Sequence, residues 1–339
     1  MISVTGMDGS RRFTWYDGER TIRFGRGVAG EAVGVLGGPG YALLTTARAR
    51  GAAPEVVEAA ATVLEVAPGQ VDELAGELLG TIEQDRIVAL GGGRVVDVAK
   101  ALAGASLGAA RAMAIPTTLS GAEMTRVHRQ AAGAPEGAAN VRPAVVVNDP
   151  ALSASQPEPE LAASALNALG HAAEGPCTPR ANPVSTLAAL EAARLIVAGF
   201  SPRTGGADRD TLALAALLAG YTIDSTVYGL HHVLSQTLVR LGRIGHGPAN
   251  AIMLPHSLGA LAWRFPAWIE RLSEAMGGDP AEVAQGLCAR TGATRLGELG
   301  VDAAALDACA DAAAERPELG LTPPRADRAE LRALYGDAL

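Results

Sequence analysis

A chain of 339 residues is too long for one ordinary hydrophobic core, so one large or two packed domains are expected. With 48% apolar and 19% charged residues it can bury a sizeable core, which excludes wholesale disorder. A net charge of −8, with no arginine cluster of nucleic-acid type, excludes a phosphate-backbone partner.

The first residues, Met1-Ile2-Ser3-Val4-Thr5-Gly6, contain no apolar leader core. The apolar, charge-free stretch Thr211 to Ile223 is too short to span a bilayer, so a cytoplasmic protein without membrane contact is expected. From about Arg12 to Pro150, short β-rich runs alternate with alanine-rich helical stretches. Arg20–Phe24, Tyr41–Thr46, Ile87–Leu90, Met113–Pro116 and Ala144–Asn148 read as strands of a parallel α/β sheet. Ser153–Pro159 reads as a linker. Beyond it the β-branched runs stop, and Ala/Leu/Glu stretches of helical period reach Leu339, broken at Gly175-Pro176, Ser201–Ala207, Gly242–Gly247 and Gly277–Pro280. Cys177, Cys288 and Cys309 are odd in number and lack CxxC spacing, so they read as buried thiols.

Two glycine-rich turns compete for a phosphate. Gly25-Arg26-Gly27-Val28-Ala29-Gly30 matches G-x-G-x-x-G after a strand. Thr45-Thr46-Ala47-Arg48, about twenty residues on, lacks the acid that would take ribose hydroxyls, which favours a plain glycine-rich loop for the first match. The second turn, Gly91-Gly92-Gly93, directly follows a buried strand and opens a helix whose free N–H groups suit an anion. On that helix Asp97 and Lys100 share a face, and Lys100 is the single lysine among 28 basic residues, which suggests a site wanting a compact ammonium. Thr117 and Thr118 follow the next strand, where ligands bind in open α/β sheets, although they also suit a helix cap.

The helical half holds five of the six histidines. Asn167 and His171 stand at i,i+4 on one helix face, His231-His232 follows Gly229, and His246 falls near a helix start after Gly245. Such histidines suit a metal site, a substrate-carboxylate pocket or a hydrogen-bonded core.

In this combination, Gly91-Gly92-Gly93…Asp97…Lys100, Pro116-Thr117-Thr118…Gly121…Glu123-Met124-Thr125, Asp149-Pro150, Asn167…His171…Glu174 and His231-His232…His246-Gly247, the chain resembles the iron-containing alcohol dehydrogenase superfamily from about Phe24 to His256. Asn167 and the Gly-Leu-His-His run at 229–232 look most like maleylacetate reductases. The resemblance implies α/β plus all-α architecture of dehydroquinate synthase type. Residues 1–155 would form a dinucleotide-binding parallel-sheet domain and residues 156–339 an all-helical substrate domain, with nicotinamide and substrate meeting in a cleft. It implies an NADH- or NADPH-dependent reductase of a small oxo acid, enone or carbonyl, working as a homodimer. Cofactor positions would be Gly91, Gly92, Gly93, Asp97, Lys100, Thr117, Thr118 and Thr46. Catalytic positions would be Asn167, His171, His231, His232 and His246, with His231 as a proton donor and the other imidazoles stabilising negative charge as imidazolium.

The metal-binding members' four ligands correspond to positions 167, 171, 232 and 246. The first is usually Asp, and Asn167 here points to a metal-free site. Other departures are Gln236 for a common histidine, Val239-Arg240 for a Gly-Gly pair and Gly245 for a proline. An expected substrate lysine has no counterpart, leaving Arg126, His128, Arg129 or Arg142 to take its charge. The alternatives are an Fe- or Zn-dependent alcohol dehydrogenase on His171, His232 and His246, a non-redox lyase, and a non-catalytic nucleotide-binding member.

Overall fold

The computed structural model describes residues 11–201 and 206–339, so the expected break at Ser201–Ala207 falls largely outside the described residues. The chain separates into two compact units, one ending at Gln156 and the other starting at Pro157.

In the first unit the order is β1 (Phe13–Asp17), β2 (Arg20–Phe24), α1 (Ala32–Val35), β3 (Ala42–Thr45), α2 (Ala47–Arg50), α3 (Pro54–Glu58), β4 (Thr62–Glu65), α4 (Val71–Glu77), β5 (Arg86–Gly91), α5 (Gly93–Ala105), β6 (Arg111–Pro116) and β7 (Val145–Asn148). The strands form one sheet in the order β1-β2-β7-β6-β5-β3-β4, parallel throughout except for the antiparallel β1–β2 hairpin. Its central strands are buried on both faces, as a sheet covered by helices requires. Ile87, Ala89, Ala112 and Ala114 pack under α4 and α5, while Val88, Leu90, Met113 and Ile115 pack under α1 and α3.

The five expected strands are present. β1 and β4 are additional, and both are edge strands. The chain goes from β3 outward to β4, then returns to place β5 on the other side of β3. The loops leaving β3 and β5 therefore diverge at their carboxyl ends, which makes a topological switch point.

The expected linker is not a loose connection. Asp149 accepts from the Ala151 N–H and starts a 3-10 turn, Pro150–Ser155, with Pro150 preset for helical φ. The next helix begins at Glu158. The second unit is helical throughout its described residues: α6 (Glu158–Glu174), α7 (Pro183–Gly199), α8 (Arg209–Thr226), α9 (Leu230–Thr237), α10 (His246–Arg264), α11 (Pro266–Met276), α12 (Pro280–Cys288), α13 (Ala303–Ala314) and α14 (Arg328–Asp337). α6 is buried almost all round from Leu161 to Glu174, so it is the hub that α7, α8 and α10 surround. The three cysteines are buried thiols. No single helix among the described residues is long and apolar enough to cross a membrane.

Candidate active site

In the first unit the glycine turn sits where β5 becomes α5. Gly92 is the N-cap of α5, and no side chain caps the free N–H groups of its first turn. Beside it the Thr117 N–H donates to the Gly91 carbonyl (3.0 Å), so the segment after β6 lies directly against the turn. The packing is close: a Cβ on Gly92 would come within 3.1 Å of Thr118 Cγ2, and one on Gly93 within 3.0 Å of Ser120. The absence of side chains thus serves internal contact as well as any ligand.

Thr46 lies at the end of the adjacent β3 and caps α2, its Oγ1 accepting from the Ala49 N–H. Gly91–Gly93 and Thr46 share the switch point. The competing turn, Gly25–Gly30, follows β2 instead, and its Ala29 N–H is already taken by the Asp149 carboxylate (3.0 Å).

Lys100 departs from its expected role. Its side chain is fully buried, and Nζ donates to the carbonyls of Ala122 (3.0 Å), Thr125 (3.0 Å) and Val127 (2.9 Å) and pairs with Asp97 Oδ1 (2.7 Å). An ammonium with every proton committed to loop oxygens has none left for a cofactor. Lys100 and Asp97 instead clamp the segment that carries Thr117 and Thr118. Arg20 adds a second buried cation on the same segment, donating to the Met124 carbonyl (3.0 Å). Between them Glu123 is buried with Oε2 meeting no partner among the described residues, and burial pushes its carboxyl pKa up to about 7.

In the second unit, α6 and α9 bring the histidines together. The rings of His171 and His232 stack with centroids 4.7 Å apart and planes at 19°. His231 stands edge-on to His232 at 4.9 Å. Such closeness needs Gly170, where a Cβ would meet His231 Nε2 at 2.5 Å.

Glu174 is the residue that sequence reasoning left without a role. Its carboxylate is fully buried at the start of α9, where Oε2 accepts from the N–H groups of Gly229 (3.1 Å), His231 (3.0 Å) and His232 (3.4 Å). Oε1 takes His232 Nδ1 in a short hydrogen bond. One carboxylate thereby caps the helix and fixes the ring that the helix carries, the usual way a functional imidazole is oriented. The available signal was an acid at i+3 from His171 and a glycine opening the His-His helix.

Fixing Nδ1 leaves His232 Nε2 as the exchanging atom. That nitrogen and His171 Nδ1 are both buried and meet no partner among the described residues. Burial, reinforced by the neighbouring imidazoles, holds the His171 pKa well below its usual value and brings those of His231 and His232 down to about 3. The expected imidazolium cluster is therefore a cluster of neutral rings. His231, the expected proton donor, is fully buried, with Nδ1 on Ser257 Oγ (3.1 Å). His246 opens α10 as expected but is exposed, while Asn167 is buried on α6 one turn before His171. Among the described residues, no three His, Cys, Asp or Glu groups are placed to hold one ion.

The substitutes suggested for the missing lysine are largely engaged elsewhere. Arg129 pairs with Asp72 (3.1 Å), and both ring nitrogens of His128 are used, on the Arg129 carbonyl and the Val141 N–H.

Comparison with known proteins identifies the family. Residues 161–339 match the model of the Fe-containing alcohol dehydrogenase family, C-terminal. The chain is 35% identical over 262 residues to maleylacetate reductase 1 of Rhodococcus opacus, covering 74% of this chain and 72% of that protein. It is 32% identical over 242 residues to a maleylacetate reductase of Burkholderia cepacia, covering 69% of this chain and 68% of that protein. The crystal structure of maleylacetate reductase from Agrobacterium tumefaciens superposes with a TM-score of 0.82 at 27% identity, covering 96% of this chain and 97% of that one. From these matches, the chain belongs to the Fe-containing alcohol dehydrogenase family of NAD(P)-dependent oxidoreductases.

Proposed function

We propose that this oxidoreductase reduces a small anionic oxo acid of the maleylacetate type with NADH or NADPH, the substrate class in the names of its relatives. The observation that carries the proposal is the His171–His232 stack, anchored through Glu174 and left with two buried, unpartnered ring nitrogens. In the first unit, Gly91–Gly93 and the first turn of α5 take the cofactor pyrophosphate, with Thr46, Thr117 and Thr118 bordering it. Thr46 and Arg48 present no acid to repel a 2′-phosphate, so NADPH serves at least as well as NADH.

The nicotinamide supplies the hydride. His171 and His232 donate hydrogen bonds to the developing enolate or alkoxide, an interaction that strengthens as charge develops. Burial raises the Glu174 carboxyl to about 7, so in its acid form it donates to His232 Nδ1 and leaves the proton of the neutral ring on Nε2; Nε2 delivers that proton as Glu174 passes its own to Nδ1. The proposed assembly is a homodimer, following the same resemblance.

The family name implies iron, but the donor set does not fit it well. Position 167 holds a neutral amide, the nearby carboxylate of Glu174 is consumed by three amides and His232, and the two imidazoles stack face to face instead of converging. No step above runs through a metal. The test is to follow NADPH absorbance with maleylacetate: stoichiometric oxidation is expected, and failure to bind either nucleotide sinks the reading.

A further inference from the structure

Next to His232 lies a polar cluster that the reaction described above does not use. At the start of α9, Tyr228 tilts against the His232 ring at 5.9 Å, and Gln236 stands one helical turn beyond His232 on the same face. Arg316 reaches both. Its NH2 donates to the Tyr228 hydroxyl (3.1 Å) and to Gln236 Oε1 (3.1 Å), and its Nε and NH2 together grip Glu318 (3.0 and 3.1 Å). The fixed fork spends its Nε and NH2 donors on these partners. NH1, the nitrogen away from Glu318, is buried and meets no partner among the described residues.

The cluster is held in a costly way. Tyr228 is set by Val227, a β-branched residue with φ +63° and ψ 174°, a conformation rarely adopted outside glycine. Gly229 is then pressed so closely on Thr322 that a Cβ would lie 2.0 Å from its hydroxyl. A buried guanidinium nitrogen with two idle N–H groups carries a desolvation cost unless an acceptor arrives. A charged N–H left over from a neutralised ion pair suits one oxygen of a carboxylate.

We propose that Arg316 is the substrate-binding residue for a carboxylate of the oxo acid, taking through NH1 the role that the absent lysine leaves open. The single lysine is locked under the first unit's loop, whereas Arg316 touches the helix that bears His232. Gln236 has a matching role: its neutral carbonyl accepts from Arg316 where a histidine would offer a competing donor. Glu318 neutralises the guanidinium through Nε and NH2, which leaves NH1 alone for a further anion. The inference rests on the oxo-acid reading and specifies the residue that enforces it.

The test compares Arg316→Met and Arg316→Lys with the wild type on maleylacetate and on its neutral dimethyl ester. In Arg316→Met, KM for the acid should rise at least thirtyfold while kcat/KM for the ester changes less than threefold and NADPH affinity stays the same. Arg316→Lys should recover part of the acid's KM. Because Met leaves Glu318 without its partner, Arg316→Met/Glu318→Gln serves as the folding control and should show the same selective loss. Equal losses on acid and ester, or an unchanged KM for the acid, would overturn the proposal. If the wild type does not reduce maleylacetate at all, the functional reading fails separately, and calorimetric binding of succinate to the NADPH complex decides this one. Binding abolished in Arg316→Met supports it, and binding that is absent in the wild type or equal in the two proteins overturns it.

Discussion

The Lys100 ammonium lies 2.7 Å from the Asp97 carboxylate one turn back on α5, and the same ammonium holds three carbonyls of the segment after β6. A helix and a loop at neighbouring strand ends are thus tied through one buried charge. Replacing it with Met would leave those carbonyls and Asp97 without their cation, and breaking a buried pair in this way costs about 3–5 kcal/mol. Lys100→Met should show a correspondingly lower urea midpoint together with weakened nucleotide binding. A midpoint within experimental error of the wild type would remove the clamp from the argument.

Gly92 is constrained from the protein side as well as by any ligand. A methyl group there would meet Thr118 Cγ2 at 3.1 Å and Oγ1 at 3.3 Å. Gly92→Ala should weaken NADPH binding at least tenfold, roughly 1.4 kcal/mol, by fluorescence titration. Gly92→Ala/Thr118→Ser removes the colliding methyl and should restore thermal stability without restoring affinity. Recovery of both would mean that the glycine serves packing alone, and would move the phosphate to another turn.

The parts of this molecule that were readable from sequence are those whose cause is local. β5 and β6 are short apolar runs bounded by turn residues, and α6 announces itself by period and by Gly175-Pro176 at its end. β1 and β4 went unread because an edge strand needs only one paired side, so Phe13–Asp17 and Thr62–Glu65 carry little burial pattern. The spacing of His171, His232 and His246 suggested a common site, but spacing does not reveal ring orientation or charge. The close approach of His231 to α6 depends on Gly170, and the neutral state on burial, both tertiary facts. Glu174 and Lys100 were visible as residues, and their roles depend on which backbone groups the fold carries to them.

Glu123 makes the stability of the first unit depend on pH. Its carboxyl pKa is raised from the ordinary 4.5 to about 7 in the folded state, chiefly by burial. Below pH 4.5 it is protonated folded or unfolded and has no effect. Between 4.5 and 7 the unfolded chain releases the proton that the folded one keeps, so stability falls as pH rises, by about 3 kcal/mol at most once past 7. Glu123→Gln removes this contribution. Burial also shifts Glu174 and the buried histidines, so the readout is the difference between the two proteins: in urea unfolding the variant should gain stability relative to the wild type from pH 5 to pH 8, and a difference that does not change with pH would place the ionisation elsewhere.

The metal question turns on Asn167, which precedes His171 by one turn of α6. With Asp there, a carboxylate and neighbouring imidazoles would offset half the charge of a divalent ion, whereas an amide offsets none. The histidines are neutral at pH 7, so on the metal-free reading proposed above it is the missing anionic ligand and the stacked rings, not proton competition, that disfavour a metal. The purified protein should hold well below one equivalent of iron or zinc by elemental analysis, and a chelator should leave the rate of NADPH oxidation unchanged. Asn167→Asp should raise metal uptake, and binding should turn the His171 ring out of its stack with His232, visible as a shift of its imidazole resonances. Stoichiometric metal in the wild type, with activity lost to the chelator and restored by Fe²⁺ or Zn²⁺, would reverse the assignment and make His171 and His232 ligands in place of direct substrate contacts.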